Sequence, residues 1–291
     1  MESAELFKKV RKIEIKTRGL SNQIFSGQYH SVFKGRGMAF SEVREYQPGD
    51  DIRSIDWNVT ARFNHPYVKV FDEERELTVM LLIDVSASNQ FGTQRSLKQD
   101  VITEIAAVLA FSAIQNNDKV GVIFFSKTVE KFIPPKKGTS HILRIIRELI
   151  EFRPQQKGTS LGEPLRYFTN VIKKRCTAFI LSDFIDRGFE DAIKIANKKH
   201  DLIAVRIYDV RETELPDVGL IRARDPETGQ QRWIDSSDRA VRRQYNNWYK
   251  AHADYIGETF LRSGVDVAAV RTDEDYIKPL MKLFRKRGAR R

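Results

Sequence analysis

From Leu77 onward the chain alternates between short apolar runs and longer stretches in which apolar residues recur every three or four positions. The runs Leu77–Ile83, Lys119–Phe125, Val129–Pro134, Thr177–Leu181, Leu202–Tyr208 and Val265–Arg271 are rich in branched and aromatic side chains and predict strands. Helical spacing covers Ser96–Gln115, Thr139–Phe152, Leu161–Lys174, Gly188–Lys198, Asp238–Arg262 and Tyr276–Arg287. In the first of these, Val101, Ile102, Ile105, Val108, Leu109 and Ile114 share one broad face. Strand and helix in alternation predict an α/β fold: a doubly wound, mostly parallel, Rossmann-like sheet with helices on both faces. Too few residues join the second and third strands for a crossover, so one of them is expected to run antiparallel at an edge. A hairpin is expected as an insertion over residues 216–236, turning at Pro226–Gly229.

The region before this alternation has a different texture. Glycines punctuate "FSGQYHSVFKGRGMAFSEVREY", which suggests short strands, and Pro48-Gly49-Asp50-Asp51 is a strong turn signal. Two parts are therefore expected: an N-terminal, mainly β or irregular segment over residues 1–75, and an α/β domain over 76–291.

Composition describes a globular protein, with 41% hydrophobic and 31% charged residues. The longest apolar runs fall short of the roughly 20 residues that span a bilayer, so no transmembrane helix is expected. Charges in "MESAELFKKVRKIEIKTRG" occupy the place of a signal peptide's apolar centre. One cysteine, Cys176, is expected in the core; with no second cysteine for an internal disulfide, this agrees with a reducing compartment.

The net charge of +11 is unevenly placed. Seven basic residues and no acid lie between Lys278 and Arg291, which leaves +4 for the rest of the chain. This last stretch, residues 276–291, reads as a basic amphipathic helix with a solvated end; weak contact with an anionic surface is the sharper alternative. The patterns of common RNA- and DNA-binding modules are absent, so no specific nucleic acid is expected.

Chemistry concentrates beyond the strands. "LTVMLLIDVSASN" is apolar until it delivers Asp84, Ser86 and Ser88 at the end of the first strand of the alternation. In a doubly wound sheet, ligands bind beyond the carboxyl ends of the strands. The loops "KGTSLGEP" and "LSDFID" are expected at the same edge, adding Thr159 and Asp183. Two carboxylates and three hydroxyls make an oxygen-only set suited to Mg2+ or Mn2+ and poorly suited to zinc.

Asp84-x-Ser86-x-Ser88 followed by Thr159 and Asp183 resembles the metal-ion-dependent adhesion site (MIDAS) of von Willebrand factor type A (vWA) domains. That resemblance implies Ser86, Ser88 and Thr159 as inner ligands, Asp84 and Asp183 as inner or outer carboxylates, and a vacant position for a partner's Asp or Glu. The preceding block resembles the signature of the bacterial domain-of-unknown-function 58 family. Arg44, Tyr46, Pro48, Gly49, Asp50, Asp51, Arg53, Ile55, Asp56, Trp57, Thr60, Ala61 and Arg62 fill it. Asn89, where methionine is common, and Ser160, where aspartate often follows the threonine, depart from the pattern. The resemblance implies a metal-dependent protein-interaction module, an adaptor or co-chaperone of a MoxR-type AAA+ ATPase. It also implies a cytoplasmic form, since the paired N-terminal transmembrane helices of many members are missing.

The signature block mixes Asp50, Asp51 and Asp56 with Arg44, Arg53 and Arg62, and is read as an ion-paired brace with Trp57 and Ile55 available as anchors. Enzymatic alternatives are thinner. Gly158-Thr159-Ser160-Leu161-Gly162 satisfies G-x-S-x-G, but no strand leads into it as a nucleophile elbow requires. No phosphate-binding loop is present, and catalytic residues are expected to be none. A hydrolase or nuclease using the same metal is the alternative kept, though it lacks a general base.

Overall fold

A computed structural model describes residues 10–17, 39–72, 77–92, 96–156, 158–225 and 229–289. Contacts divide the chain into two compact units, one spanning Lys34–Leu77 and a larger one that holds helical residues 10–17 and everything from Thr78 on. The helical residues 10–17 thus group with the α/β unit, not with the N-terminal segment in which the sequence reading put them.

In the smaller unit, strands β1 (Ala39–Glu45) and β2 (Tyr67–Asp72) pair antiparallel. Between them lie a single 3-10 turn (Ile52–Ser54) and helix α1 (Trp57–Phe63). The signature residues organise this connection. Arg44 clamps Asp50 through two bonds of 2.7 Å, and Asp50 also accepts from the Gln47 N–H. Those bonds hold the Asp50 carboxyl below its ordinary pKa, with the Arg44 hydrogen bond the leading cause. Asp51 and Asp56 cap the two helical turns, and the Thr60 hydroxyl accepts from Tyr67 N–H. Of the ion pairing read from the sequence, the Arg44–Asp50 pair is present within the unit, and the helix caps add to it. Trp57, the first residue of α1, is 67% exposed.

The larger unit is built on a six-stranded sheet. Its strands are β3 (Thr78–Asp84), β4 (Lys119–Phe125), β5 (Val129–Lys136), β6 (Thr177–Ser182), β7 (Asp201–Tyr208) and, after an inserted hairpin, β10 (Asp266–Arg271). The spatial order is β10-β7-β6-β3-β4-β5, parallel except for β5, which runs antiparallel along β4. β5 carries Pro134 and Pro135, which cannot donate to a ladder and are accommodated at an edge. β3 and β6 are buried on both faces, the reason their sequences run apolar without alternation. In β4, Gly121 is required by close approach: a Cβ there would lie 2.7 Å from Met80 Sδ and 2.9 Å from Pro135 N.

Helices α2 (Lys98–Gln115), α3 (Thr139–Glu151), α4 (Gly162–Val171), α5 (Glu190–Lys199), the single turn α6 (Val210–Thr213), α7 (Arg239–Ser263) and α8 (Ile277–Ala289) complete the unit. Met80, Leu82, Ile123 and Ile180 pack with Leu165 and Phe168 of α4, Ile193 of α5 and Ile256 and Phe260 of α7. On the opposite face Phe179 meets Phe284 of α8, and Phe124 meets Phe152 just past α3. α2 is buried nearly all round, which explains an apolar band wider than one stripe. Helix α4 stops at Val171, short of Lys174, where the like-charged Lys173-Lys174-Arg175 follows.

The hairpin is present as β8 (Leu220–Arg224) paired with β9 (Gln231–Asp235); its expected turn falls partly on residues 226–228, outside the described residues. The C-terminal basic stretch departs from a solvated end. α8 buries Leu280, Leu283 and Phe284, and Arg287 reaches Asp201 (2.5 Å) and Asp266 (3.0 Å). Arg287 thus joins the starts of β7 and β10, while Lys278, Lys282, Arg285 and Lys286 stay exposed.

Candidate functional site

Because β3, β4, β6, β7 and β10 are parallel, their carboxyl ends share one edge of the sheet. β3 ends at Asp84, and the Asp84 carboxylate turns back to accept from the Ser86 N–H (2.9 Å), a local turn that short acidic side chains favour. A 3-10 turn over Ala87–Gln90 then brings the Ser88 hydroxyl to 2.9 Å from that of Ser86. Asn89 ties this turn to the strand, donating from Nδ2 to the Asp84 carbonyl (3.0 Å) and to Ser86 Oγ (3.4 Å).

β6 supplies the second half. Its last residue, Ser182, donates to Asp84 Oδ2 at 2.6 Å and accepts from the Phe184 N–H. Asp183 follows, its Oδ1 accepting from Ile185 N–H (3.0 Å), and the Ser88 hydroxyl is also hydrogen-bonded to it. Phe184 holds a positive φ of 60°, costly for a bulky residue. It is fixed by an edge-on contact with Phe260 at 4.9 Å and by His252 Nε2 at 3.1 Å from its carbonyl.

Asp84, Ser86, Ser88 and Asp183 are therefore joined in one hydrogen-bonded cluster, with Asp84, Ser86 and Asp183 each no more than 2% exposed. Thr159 is half-buried in the loop entering α4. The next two residues tie that loop to the same edge: Ser160 N–H donates to the Ser126 carbonyl past β4, and Leu161 N–H to Asp186 Oδ2 past β6. The residues before Ser160 form a loop, so the strand-to-serine geometry of a nucleophile elbow is not formed. His200, its conceivable partner, lies at the start of β7, the opposite end of the strands.

Three participants escaped the sequence reading. The first is Lys98, the opening residue of α2, fully buried, with Nζ 2.7 Å from Asp183 Oδ2 and 2.6 Å from Glu212 Oε1. The second is Glu212, held by a capping box at α6 in which Asp209 accepts from Arg211 N–H while Glu212 Oε2 accepts from Asp209 N–H. The third is Ser182. A readable signal existed for Glu212, since Asp209-Val210-Arg211-Glu212 has capping-box spacing. Lys98 had only a negative one, a cation where a helix N-terminus disfavours it.

The electrostatics separate the carboxyls. Burial, then the nearby Asp183 charge, push Asp84 up to about 6 against the pull of the Ser182 and Ser86 hydrogen bonds. Burial also opposes ionisation of Asp183, but the Lys98 ammonium and the Ile185 and Ser88 hydrogen bonds outweigh it and hold that carboxyl below its ordinary value. Lys98 is likewise opposed by burial, yet its two carboxylate partners raise it, so the ammonium stays charged. Glu212 is raised by burial, which Lys98 only partly offsets.

The donor set fits a small hard cation. Adjacent ligands of octahedral Mg2+, with oxygens at about 2.1 Å, lie about 2.9–3.0 Å apart, and the Ser86 and Ser88 hydroxyls are separated by 2.9 Å. Asn89 Oδ1 is buried without a protein hydrogen-bond partner, an acceptor in want of a donor or cation. Both Asp84 oxygens already accept protein hydrogen bonds, which suits a carboxylate acting from behind the inner oxygens. Among the described residues no three His, Cys, Asp or Glu side chains gather as a metal-holding group, so the cluster's capacity rests on hydroxyls as much as on charge.

Among the described residues no helix is long and apolar enough to cross a membrane. The chain is 28% identical over 294 residues to the uncharacterized protein Rv1480 of Mycobacterium tuberculosis, covering 99% of this chain and 92% of that one. Solved structures with similarity include the conserved hypothetical protein BatB of Bacteroides thetaiotaomicron, at 16% identity and TM-score 0.46 over 73% of this chain and 99% of the other. They also include the SpRpn10 VWA domain, at 8% identity and TM-score 0.37 over 73% and 95%. Residues 42–255, spanning the capped signature block and the sheet edge just described, match the model described as "Protein of unknown function DUF58", and the chain belongs to that family.

Proposed function

We propose that this protein is a metal-ion-dependent protein-interaction module in which Ser86, Ser88, Thr159, Asp84 and Asp183 hold Mg2+ or Mn2+. The observation that carries the reading is the pair of serine hydroxyls at 2.9 Å, backed by two buried carboxylates at the carboxyl edge of the sheet. When bound, the cation supplies a Lewis-acidic position that accepts a partner's Asp or Glu. The chain's own residues do the rest. The Asn89 amide and the Ser86 N–H fix the turn that presents both hydroxyls, and Ser182 fixes the Asp84 carboxylate behind them. Most of the cluster's polar atoms are committed before any partner arrives, so little ordering entropy is lost on binding.

By its family resemblance the partner is an acidic segment of a MoxR-type AAA+ ATPase, with the protein acting as adaptor or co-chaperone in the cytoplasm. The exposed Lys278, Lys282, Arg285 and Lys286 of α8 offer a separate, weaker contact for an anionic surface. Nothing among the described residues favours the hydrolase or nuclease alternative.

Calorimetric titration of the purified protein with MgCl2 tests the metal. Saturable binding in the wild type that is lost in Ser88→Ala, with both proteins folded by circular dichroism, supports it; identical traces refute it. Binding of a purified MoxR-type ATPase that disappears in EDTA and returns with Mg2+ tests the partner, and association indifferent to chelation refutes the shared-cation mechanism.

A further inference from the structure

We infer that Lys98 sets the cation affinity of the Asp84–Asp183 site: its ammonium is a resident cation on Asp183 that a divalent ion must drive onto Glu212. The inference rests on the metal reading above and adds its regulation.

The position of Lys98 is hard to explain as a device for stability. The side chain is fully buried, and it opens α2, where the helix dipole presents its positive end. Burying an ion pair is commonly no better for stability than burying well-packed apolar groups of the same size. Here a flexible four-carbon cation is placed under a desolvation penalty and a dipole penalty together, at the edge where the oxygen ligands converge.

Its two contacts are unequal in consequence. Asp183 belongs to the cluster and Glu212 does not: Glu212 sits beyond β7, fixed at Oε2 by the Asp209 N–H, with Oε1 facing the lysine at 2.6 Å. While the ammonium lies on Asp183, that carboxylate's charge is matched from within, and a divalent cation approaching Ser86 and Ser88 meets a nearby positive charge and, in Asp84, a carboxylate whose two oxygens already accept from Ser86 N–H and Ser182. Because Nζ already touches both acids, it need not enter water to release one of them. Glu212 is thus a positioning residue acting through Lys98, and Lys98 a charge built into the site to weaken and gate it.

Calorimetric titration with MgCl2 of the full chain, as wild type, Lys98→Met, Glu212→Gln, the double variant and Ser88→Ala, tests this. Removing the competing charge is expected to tighten Mg2+ binding about tenfold or more in Lys98→Met. Glu212→Gln leaves Asp183 as the ammonium's sole anionic partner, and binding is expected to weaken about tenfold. In the double variant the Glu212 substitution is expected to have little further effect, because its influence runs through the lysine; such non-additivity is what a coupled pair gives. Lys98→Gln carries the same expectation should Lys98→Met fail to fold.

A merely structural Lys98 predicts that both single variants lose binding as the fold loosens, and weakening in both overturns the inference. Changes under about twofold in both, with wild-type binding intact and lost in Ser88→Ala, also overturn it and leave the metal reading standing. Binding in Lys98→Met alone supports the inference in its strongest form. No Mg2+ heat in any protein removes the metal reading and this inference with it.

Discussion

Replacing Asp84 by asparagine exposes the cost of keeping a carboxylate in the sheet. Asp84 is 1% exposed, and burial together with the Asp183 charge raises its pKa to about 6 from the ordinary 3.8. Between those values the native protein binds more protons at this position than the unfolded chain, so stability falls as pH rises through the interval. The displacement corresponds to about 3 kcal/mol by pH 7, at 1.36 kcal/mol per pH unit. Asparagine has nearly the same shape and no charge to desolvate. Its carbonyl can accept from the Ser86 N–H, and its amide can donate to Ser182 Oγ, whose proton is free to turn elsewhere.

In EDTA, Asp84→Asn is therefore expected to be more stable than wild type by about 2–3 kcal/mol at pH 7, and by close to nothing at pH 4. Urea unfolding followed by circular dichroism at pH steps from 4 to 8 measures the difference. Mg2+ is expected to raise the wild-type midpoint, by linkage to binding, and to leave the variant's almost unchanged. A variant less stable than wild type at pH 7, or a difference that does not shrink toward pH 4, refutes the reasoning.

Other substitutions probe the frame around the site. His200, fully buried with Nε2 unpartnered and Nδ1 3.4 Å from Cys176 Sγ, is lowered to about 4 by burial and then by the Lys199 and Arg175 charges. Its neutral form is the folded form, so it contributes stability above pH 6.5 that is lost as pH falls toward 4, up to about 3 kcal/mol. His200→Leu should flatten that limb of the stability profile, and an unchanged acid limb argues against it. Arg287→Ala strips the cation from Asp201 and Asp266 and is expected to cost about 2–3 kcal/mol in urea unfolding; a loss below about 0.5 kcal/mol would show that the pairs are screened. Neutralising the exposed Lys278, Lys282, Arg285 and Lys286 should leave stability intact while abolishing any salt-sensitive binding to anionic vesicles; binding that survives assigns it to another surface.

How the site came to be legible is clearest in β3. A short apolar run with no alternation reads as a strand buried on both faces, since it is too short for a buried helix, and the abrupt change at Asp84 marks its carboxyl end, so strand, edge and polar cluster follow from one stretch of chain. The brevity of the link between β4 and β5 likewise dictated the antiparallel edge. The role of Arg287 within the basic C-terminal helix was not legible, because a side chain's burial depends on what packs beside it: Arg287 finds two aspartates at the starts of distant strands.

What the chain's local order determined is the sheet, its helices and the strand-end position of Asp84 and Asp183, since these depend on periodicity, strand ends and loop length. Only the tertiary structure decided the charge of the site. Asp183 and Glu212 lie 85 and 114 positions beyond Lys98 in the chain, and no spacing rule joins them. They meet because α2, β6 and the turn after β7 converge at one edge, where two carboxylates together offset the cost of burying the ammonium.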